Sequence, residues 1–549
     1  MTVPRRERAR ARDVTVVVGP RRKWSIVDGT RATGFAFREN RLLDAEALAR
    51  LVDAAPIESL SSLLEGLTGS FAIMRETPDA AYAIVDDIRG IPLYRVVDGG
   101  QHVVTDDPLH TSPDARARGG DWTTHAELLK SSCVTGADTL LDDVRQVEAG
   151  SLLRIPIDPD EAETSERYYR FRPNLDPDTS QDLAEIGVEV HRAAVHRMIR
   201  FAGDALIVVP LSAGLDSGIL AALLAASEVD REQILTFTFG RPGNRESEVS
   251  RRVADTLGLR WEFVPYSEST WEDLARQAWW PEYLAWSSSL AGAPGFTDIP
   301  AVFELRRREL LPDGSVVAPG HTLGFISGSF IPGSLLQRRR GSRADVVDGV
   351  LGAYYKYRSE DSIGALLGQS ATDVTEALRE RADRALPATS PSMPREELVS
   401  LTEEFGWKER QAKMIVNGVR AYEHQDLRWA VPWWDREVLD FWARVPLRQR
   451  VGQVLRRELA ELAAWPTSSR SMLDDLQDRL DRTVHVLGLD GPAKRMRNLA
   501  RRSTKRSRYH QDEMACLALF GEARFLESYE GTQTPRAFLA EDVLSALDA

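Results

Sequence analysis

Between the apolar run Ala205 to Val209 and an apolar helical pattern beginning at Gly218 lies the segment Leu211, Ser212, Ala213, Gly214, Leu215, Asp216, Ser217. A strand that turns tightly into a helix presents free backbone N–H groups and the positive end of the helix dipole to whatever lies in front of it. The natural occupant is an anion, above all a phosphate. Ser212 and Ser217 add hydroxyl donors, and Asp216 is a carboxylate able to hold Mg²⁺ against phosphates. No Walker-type loop ending in Gly-Lys-Ser/Thr is present, so the common NTPase arrangement is not in use. The plainer reading is a strand-to-helix turn without a ligand.

The flanking elements must hold that turn in place. ALIVVP, ILTFTF and RWEFVPY alternate with GILAALLAAS and ESEVSRRVADTLG, which predicts a parallel sheet wound through strand–helix–strand units, with Gly258 capping the second helix. A preceding helix is expected from Leu183 to Phe201, its apolar stripe running through Ile186, Val190, Ala193, Ala194 and Ile199. Upstream, short β segments with turn signals describe a sheet-rich domain. VRQVEAG and SLLRIPID read as its closing hairpin at Gly150, followed by a Pro-, Asp- and Glu-rich linker from Pro156 to Ser180. Beyond about residue 340 helical patterning dominates.

The loop resembles the Ser-Gly-Gly-x-Asp-Ser pyrophosphate-binding motif of the ATP-pyrophosphatase (PP-loop) superfamily, read from Ser212 to Ser217 with Ala213 replacing a glycine. A methyl group there restricts phosphate approach if the position needs positive φ. Thr236 to Gly240, followed by Glu246 and Glu248, resembles the second core strand of asparagine-synthetase-like proteins, which ends at the adenine pocket. The resemblance implies Thr238, Phe239 and Gly240 along the adenosine; Phe237 is expected to point away from Phe239, into the core. Residues 64–107 are similar to part of the glutaminase domain of class B asparagine synthetases, Val316 to Phe325 stands at their second substrate loop, and Trp407 to Pro446 resembles the helical region that follows. The implied fold is α/β: an N-terminal Ntn-hydrolase-like αββα sandwich over 1–175, and a PP-loop ATP-pyrophosphatase parallel-sheet domain with a helical elaboration over 180–549.

The departures bear on function. An Ntn glutaminase uses an N-terminal Cys; here Thr2 follows Met1, and the cysteines are Cys133 and Cys516. In the second loop Gly320 is kept, His321 replaces a Glu and Gly324 replaces an Asp. His321 can be a general base or a hydrogen-bonded structural histidine. Glu423, on the helix carrying Tyr422, is the candidate to orient it and raise its pKa. Gln453 stands where the family has a lysine, with Arg456, Arg457 or Lys494 available to substitute. The resemblance therefore implies an AMP-forming ligase that uses ATP and Mg²⁺ to activate a carboxylate and couple it to an amine, peptides included, without glutamine hydrolysis. β-Lactam synthetases and lasso-peptide cyclases are relatives of that kind. A non-catalytic nucleotide- or partner-binding homologue and an ammonia-using asparagine synthetase remain alternatives, and a homodimer or a partner protein stays open.

Composition sets the outer limits. The 549 residues exceed one ordinary core, 43% are hydrophobic and 28% charged, and the formal charge of −13 argues against general nucleic-acid binding. The basic run Lys494 to Arg508 is a local exception, read as a solvated face or an anion-docking segment. Two distant cysteines support neither a disulfide framework nor a thiolate metal site, and VTVVVG is too brief for export or membrane insertion. The expected location is a reducing cytoplasm.

Overall fold

Five segments, Ile207–Pro210, Ile234–Gly240, Arg260–Pro265, Val316–Val317 and Arg428–Trp429, pair in parallel in a computed structural model that describes residues 12–111, 119–174, 182–464, 509–510, 512–528 and 534–548. Parallel neighbours need crossovers, which the helices Leu215–Ala225 and Arg245–Leu257 supply for the first three strands. Side by side the order is third, second, first, fourth, fifth. The first strand is therefore central, and Ile207, Val208 and Val209 are fully buried, as the uninterrupted apolar run requires. Winding reverses between the first and fourth strands, and the loops leaving them, at Leu211 and Ala318, flank a crevice at the carboxyl edge, the usual ligand position in such sheets.

The crossover helices follow local rules. Leu215–Ala225 is apolar on nearly every side and is buried along its middle, as a helix packed between layers must be. Arg245–Leu257 starts at Asn244, whose side chain accepts from the Ser247 amide, and ends at Gly258 in the left-handed region at φ +66°.

The preceding helix spans Leu183–Ala202, but its buried face runs through Leu183, Gly187, His191, Ala194 and Met198, while Ile186 is exposed. The expected stripe is thus rotated. A polar residue hid the true face: His191 Nδ1 bonds to the Gly187 carbonyl at 2.7 Å, and Trp442 Nε1 donates to His191 Nε2 at 3.2 Å.

Helices Arg343–Tyr354, Ala371–Arg384 and Arg395–Phe405 form the helical elaboration, and the last continues into a π-helical stretch, Gly406–Ile415. Such stretches are rare and frequent at functional sites.

The chain divides into two compact units, one of residues 1–124 and 136–170 and the other of 125–135 and 171–547. In the first, Asp13–Val17, Gln101–Thr105, Tyr94–Asp98 and Val144–Gln146 make a four-stranded sheet. A seven-stranded antiparallel sheet contains Thr30–Arg38, Thr68–Glu76 and Ala80–Val85, with helix Ala45–Asp53 against Thr30–Arg38. The expected hairpin at Gly150 does not form. Val144–Gln146 pairs with Tyr94–Asp98 in one sheet, whereas Ser151–Pro156 pairs with Ala80–Val85 and Thr164–Arg167 in the other. Gly150, at φ +62°, lets the chain pass between sheets rather than fold back, and a Cβ there would lie 2.7 Å from the Tyr169 carbonyl oxygen. Thr164–Arg167, within the expected linker, is accordingly a sheet strand.

The protein is thus mixed α/β with several sheets, one of them parallel. Among the described residues no helix is long and apolar enough to cross a membrane. Thr2 and the basic run Lys494 to Arg508 lie outside the described residues.

Candidate active site

At the reversal point the first strand delivers Leu211, whose amide donates to the Phe237 carbonyl at 2.8 Å, so the turn is anchored to the second strand. Ser212 Oγ and Ser217 Oγ lie 3.0 Å apart. Ser217 Oγ also accepts from the Ser212 amide at 3.0 Å, and Ser212 Oγ from the Gly214 amide at 3.1 Å. These bonds fix the loop. Gly214 caps the following helix at φ −81°, with no side chain satisfying the first-turn amides. That leaves an uncapped helix N-terminus facing the crevice, which suits a phosphate. Ala213 is not in the left-handed region, so its methyl group meets no conformational penalty.

The fourth strand brings the second loop against the first. A Cβ on Gly320 would lie 2.6 Å from the Ser217 nitrogen and 2.8 Å from the Asp216 carbonyl carbon, so only glycine allows this approach. Immediately beyond, Thr322 holds φ +81°, a strained value for a β-branched residue. Two hydrogen bonds hold it there: Trp434 Nε1 donates to Thr322 Oγ1 at 2.8 Å, and Thr322 Oγ1 donates to Gln411 Oε1 at 2.9 Å. The strain therefore fixes where His321 points.

The two loops and the second strand enclose a cavity of about 270 Å³, lined by Ser212, Gly214, Asp216, Ser217, Gly320 and His321 together with Thr238, Phe239, Glu246, Asp298, Arg456 and Met514. Phe239 stacks on Tyr266 at 5.1 Å between centroids. Phe237 lies 6.1 Å from Phe239 and also lines the cavity, which corrects the expectation that the two face apart: residues two apart on a strand share a face. Thr238 Oγ1 is committed to the frame, meeting the Leu211 carbonyl and Ser250 Oγ at 2.7 Å each. Gly240 sits at φ +127° under the C-terminal segment, 3.2 Å from the Glu513 carbonyl oxygen if it carried a Cβ. Met514 of that segment closes the cavity wall, held by Trp271 Nε1 donating to its carbonyl at 2.7 Å.

Asp216 is not a free carboxylate. Oδ2 accepts from the Gly324 amide at 2.9 Å and Oδ1 accepts from the Arg456 guanidinium. Arg456 also donates to Gln453 Oε1, Gln453 Nε2 donates to Ser329 Oγ at 2.7 Å, and Ser329 Oγ donates to the Gly324 carbonyl at 2.5 Å. The ring closes on itself. Gln453, at φ +58°, thus orients Arg456. A Cβ on Gly324 would lie 3.2 Å from Ser329 Oγ and 3.3 Å from Asp216 Oδ2, so a larger residue there presses on this ring. Among the described residues no cluster of three potential metal ligands occurs, and Asp216 offers no oxygen free of protein donors. Mg²⁺ at Asp216 would share each carboxylate oxygen with a protein donor, Gly324 at one and Arg456 at the other, and would take its remaining ligands from phosphates and water.

His321 is half-buried, and its Nδ1 is buried without a hydrogen-bond partner among the described residues. The expected pair with Glu423 is absent. Glu423 instead accepts from Arg420 Nη1 at 2.8 Å and from Trp429 Nε1 at 3.0 Å, and it does not line the cavity. Tyr422 also lies outside the lining; its hydroxyl donates to Asp298 Oδ2 at 2.6 Å, which makes it a support for Asp298. Burial holds the His321 pKa below 6.5, opposed by the charges of Asp298 and Asp216 and assisted by Arg536. This reverses the expected upward shift: burial outweighs carboxylates that do not bond the ring. Glu246 is pushed upward by burial, with Glu513 adding to it.

Sequence reasoning missed Asp298 and Met514. Asp298 had a signal, since Thr-Asp-Ile-Pro reads as a helix start and Asp298 indeed precedes Ile299–Arg307; nothing local pointed from there to the cavity. Met514 had none.

Residues 189–290 match the asparagine synthase family, a span that includes the first loop and the second strand but not His321, Tyr422, Glu423 or Arg456. No curated protein matches the chain. Among solved structures, an allosteric regulatory enzyme of purine biosynthesis aligns at 14% identity and TM-score 0.18, over 43% of this chain and 60% of that one, so this chain spans about three fifths of its length. A glutamine phosphoribosylpyrophosphate amidotransferase from B. subtilis, in complex with ADP and GMP, aligns at 14% identity and TM-score 0.18 over 64% and 74%. The asparagine synthase match is confined to residues 189–290.

Proposed function

We propose that this protein is an ATP-dependent amide ligase that activates a carboxylate as its adenylate and transfers the acyl group to an amine. The observation that carries the reading is the seating of Gly320 against Ser217, which brings an uncapped helix N-terminus and His321 to one cavity. The amides after Gly214 and the Ser212 and Ser217 hydroxyls suit the phosphates, and Phe237, Phe239 and Met514 offer an apolar wall to a base. Attack of a carboxylate oxygen on the α-phosphorus breaks the bond to the β-phosphate bridging oxygen and releases pyrophosphate. Arg456 is the cation beside this path and takes the part the family gives to a lysine. His321, kept neutral by burial, then accepts the proton of the attacking amine as AMP departs.

Use of an amine without glutamine agrees with the state of the two cysteines. Burial pushes the Cys133 thiol up to about 12 and raises the Cys516 thiol as well, so neither is a nucleophile at neutral pH. Intramolecular lactam or macrolactam closure is the finer form of this proposal. A second reading, a nucleotide-binding homologue without catalysis, is favoured by the engagement of both Asp216 oxygens. ATP–pyrophosphate exchange with a panel of carboxylates separates the two: exchange supports the ligase, and nucleotide binding with no exchange for any acid supports the homologue.

A further inference from the structure

One wall of the candidate cavity comes from a distant part of the chain. Met514 belongs to segment 512–520, which ends in the short helix Cys516–Phe520 and lies outside the span matched to the asparagine synthase family. The segment is fastened to the end of the second strand. Arg241, the residue after Gly240, donates its amide to the Glu513 carbonyl at 2.8 Å and its Nε to the Asp512 carbonyl at 2.9 Å. Gly240 makes that approach possible, because a Cβ there would lie 3.2 Å from the Glu513 carbonyl oxygen and 3.4 Å from Met514 Sδ. Within the segment the Asp512 carboxylate accepts from the amides of Met514 at 3.3 Å and Leu517 at 3.2 Å, and Ala515 turns the chain at φ +54°, a costly value for a residue with a side chain. That turn presents Met514 to the cavity.

Trp271 ties Met514 and the second strand to one frame. It is fully buried in helix Glu268–Ala275, its Nε1 donates to the Met514 carbonyl at 2.7 Å, and its ring meets Tyr266 edge-on at 5.3 Å, where Tyr266 in turn stacks on Phe239. Phe239 and Met514, which both line the cavity, are thereby set by the same indole. At its far end the segment is anchored by Phe520, whose ring lies 5.4 Å from Phe538 of helix Pro535–Asp548 and 6.5 Å from Phe296. A polarizable thioether suits contact with the flat ring of a nucleobase.

We propose that segment 512–520 is a strap that the nucleotide fastens: the base packs on Met514, so nucleotide binding and docking of the strap on Arg241 and Trp271 stabilise each other. This rests on the nucleotide-binding part of the reading given above. Linkage makes the coupling reciprocal, so whatever loosens the strap weakens the nucleotide, and the nucleotide in turn slows opening of the strap. The phosphate end, built on Ser212, Gly214 and Ser217, belongs to another element and should not feel the strap.

The test uses full chains of wild type, Met514→Ala, Met514→Leu and Trp271→Phe, the last removing the indole donor and keeping an aromatic ring, with thermal melting to establish folding. Calorimetry measures binding of ATP and of inorganic tripolyphosphate, which carries phosphates without a base. ATP should bind about tenfold more weakly to the Ala variant, the order expected for losing most of one buried methionine side chain, and nearly as well to the Leu variant as to wild type. Trp271→Phe should weaken ATP in the same selective way, and tripolyphosphate should bind all four proteins alike. Hydrogen exchange of the wild type supplies a readout that needs no substitution: ATP should slow exchange of the amides in 512–520, and tripolyphosphate should not. Equal weakening of ATP and tripolyphosphate, unchanged ATP affinity in the Ala variant, or exchange in 512–520 that is indifferent to ATP overturns the proposal. Met514-dependent ATP binding with no ATP–pyrophosphate exchange for any carboxylate would sink the adenylating reading and leave the strap standing.

Discussion

Arg456 and Asp216 form an ion pair across the candidate cavity, and the Gly324 amide donates to the remaining Asp216 oxygen at 2.9 Å. The carboxylate of the strand-to-helix turn is therefore a device for placing a guanidinium.

Replacement of Arg456 by Ala should lower ATP–pyrophosphate exchange by about a hundredfold to a thousandfold, the usual effect of deleting one preorganised charge stabiliser. Lysine should restore part of the rate, since it returns the charge without the paired donors. Because the pair is largely buried and Asp216 would be left without its guanidinium, the Ala variant should also lose stability, by about 1–3 kcal/mol. Full exchange in the Ala variant would remove Arg456 from the chemistry.

Gly320→Ala tests the seating of the two loops. The added methyl group meets backbone atoms at 2.6–2.8 Å, which no rotamer change can relieve, so the loops must part. The expected cost is about 1–3 kcal/mol of stability, typical of overpacking, together with a loss of nucleotide affinity. Gly352→Ala is the control, because a Cβ there meets nothing within 4 Å and the residue lies inside helix Arg343–Tyr354. It should be neutral or stabilise by about 0.5–1 kcal/mol. Melting curves and nucleotide titration of both variants decide the matter.

How far the sequence reached follows from the range of each signal. The first strand, its loop and the helix behind it are encoded by contiguous apolar runs broken by small residues, so local pattern located them closely. Gly258 was readable for the same reason. The seven-stranded sheet misled at Gly150, because a hairpin and a passage between sheets share the same local turn residue, and only the distant pairing of Leu152 with Ile84 and Pro156 with Ala80 distinguishes them. Within the site, Asp298 arrives from a helix start, where its carboxylate accepts from Tyr422 rather than capping the helix, and Met514 from a C-terminal turn with no local signal for a ligand. Glu423 illustrates the opposite error: chain neighbourhood to Tyr422 suggested a shared role, while the fold turns the carboxylate toward Arg420 and Trp429.

Both thiols should resist Ellman's reagent in the native protein. Cys133 and Cys516 are 2% and 4% exposed, and with the Cys133 pKa near 12 its thiolate fraction at pH 8 is only about one in ten thousand. Both should react on unfolding in guanidinium. Glutamate release from glutamine should be undetectable before and after iodoacetamide treatment of the native protein; release abolished by the alkylation would make one of these thiols a working nucleophile and overturn that part of the proposal.

His321 gives the sharpest test, because its proposed role belongs to one half-reaction. Replacement by Ala should slow amide formation by about a hundredfold to ten-thousandfold, the range for a positioned general base, and largely spare pyrophosphate exchange. The pH dependence has a definite sign. Since burial lowers the His321 pKa, the ring is neutral at pH 7; the acyl-transfer rate should be level from neutral upward and fall once acid protonates the ring below the ordinary histidine range. The same shift makes the unfolded state bind the extra proton first, so this residue's contribution to stability is present above about pH 6.5 and is lost as pH drops below it. A glutamine at this position should remove that component of acid destabilisation. Gly418→Ala supplies a test that leaves the imidazole in place: a methyl group there would lie 2.8 Å from His321 Cε1 and must displace the ring. Acyl transfer should then fall by about tenfold or more while exchange holds, since small misplacements of a reacting group are costly. Equal loss of both half-reactions in the Gly418 and His321 variants would assign the ring to nucleotide binding and return the question of the base to Asp298 and Glu246, the carboxylates at the cavity wall outside the Asp216–Arg456 pair.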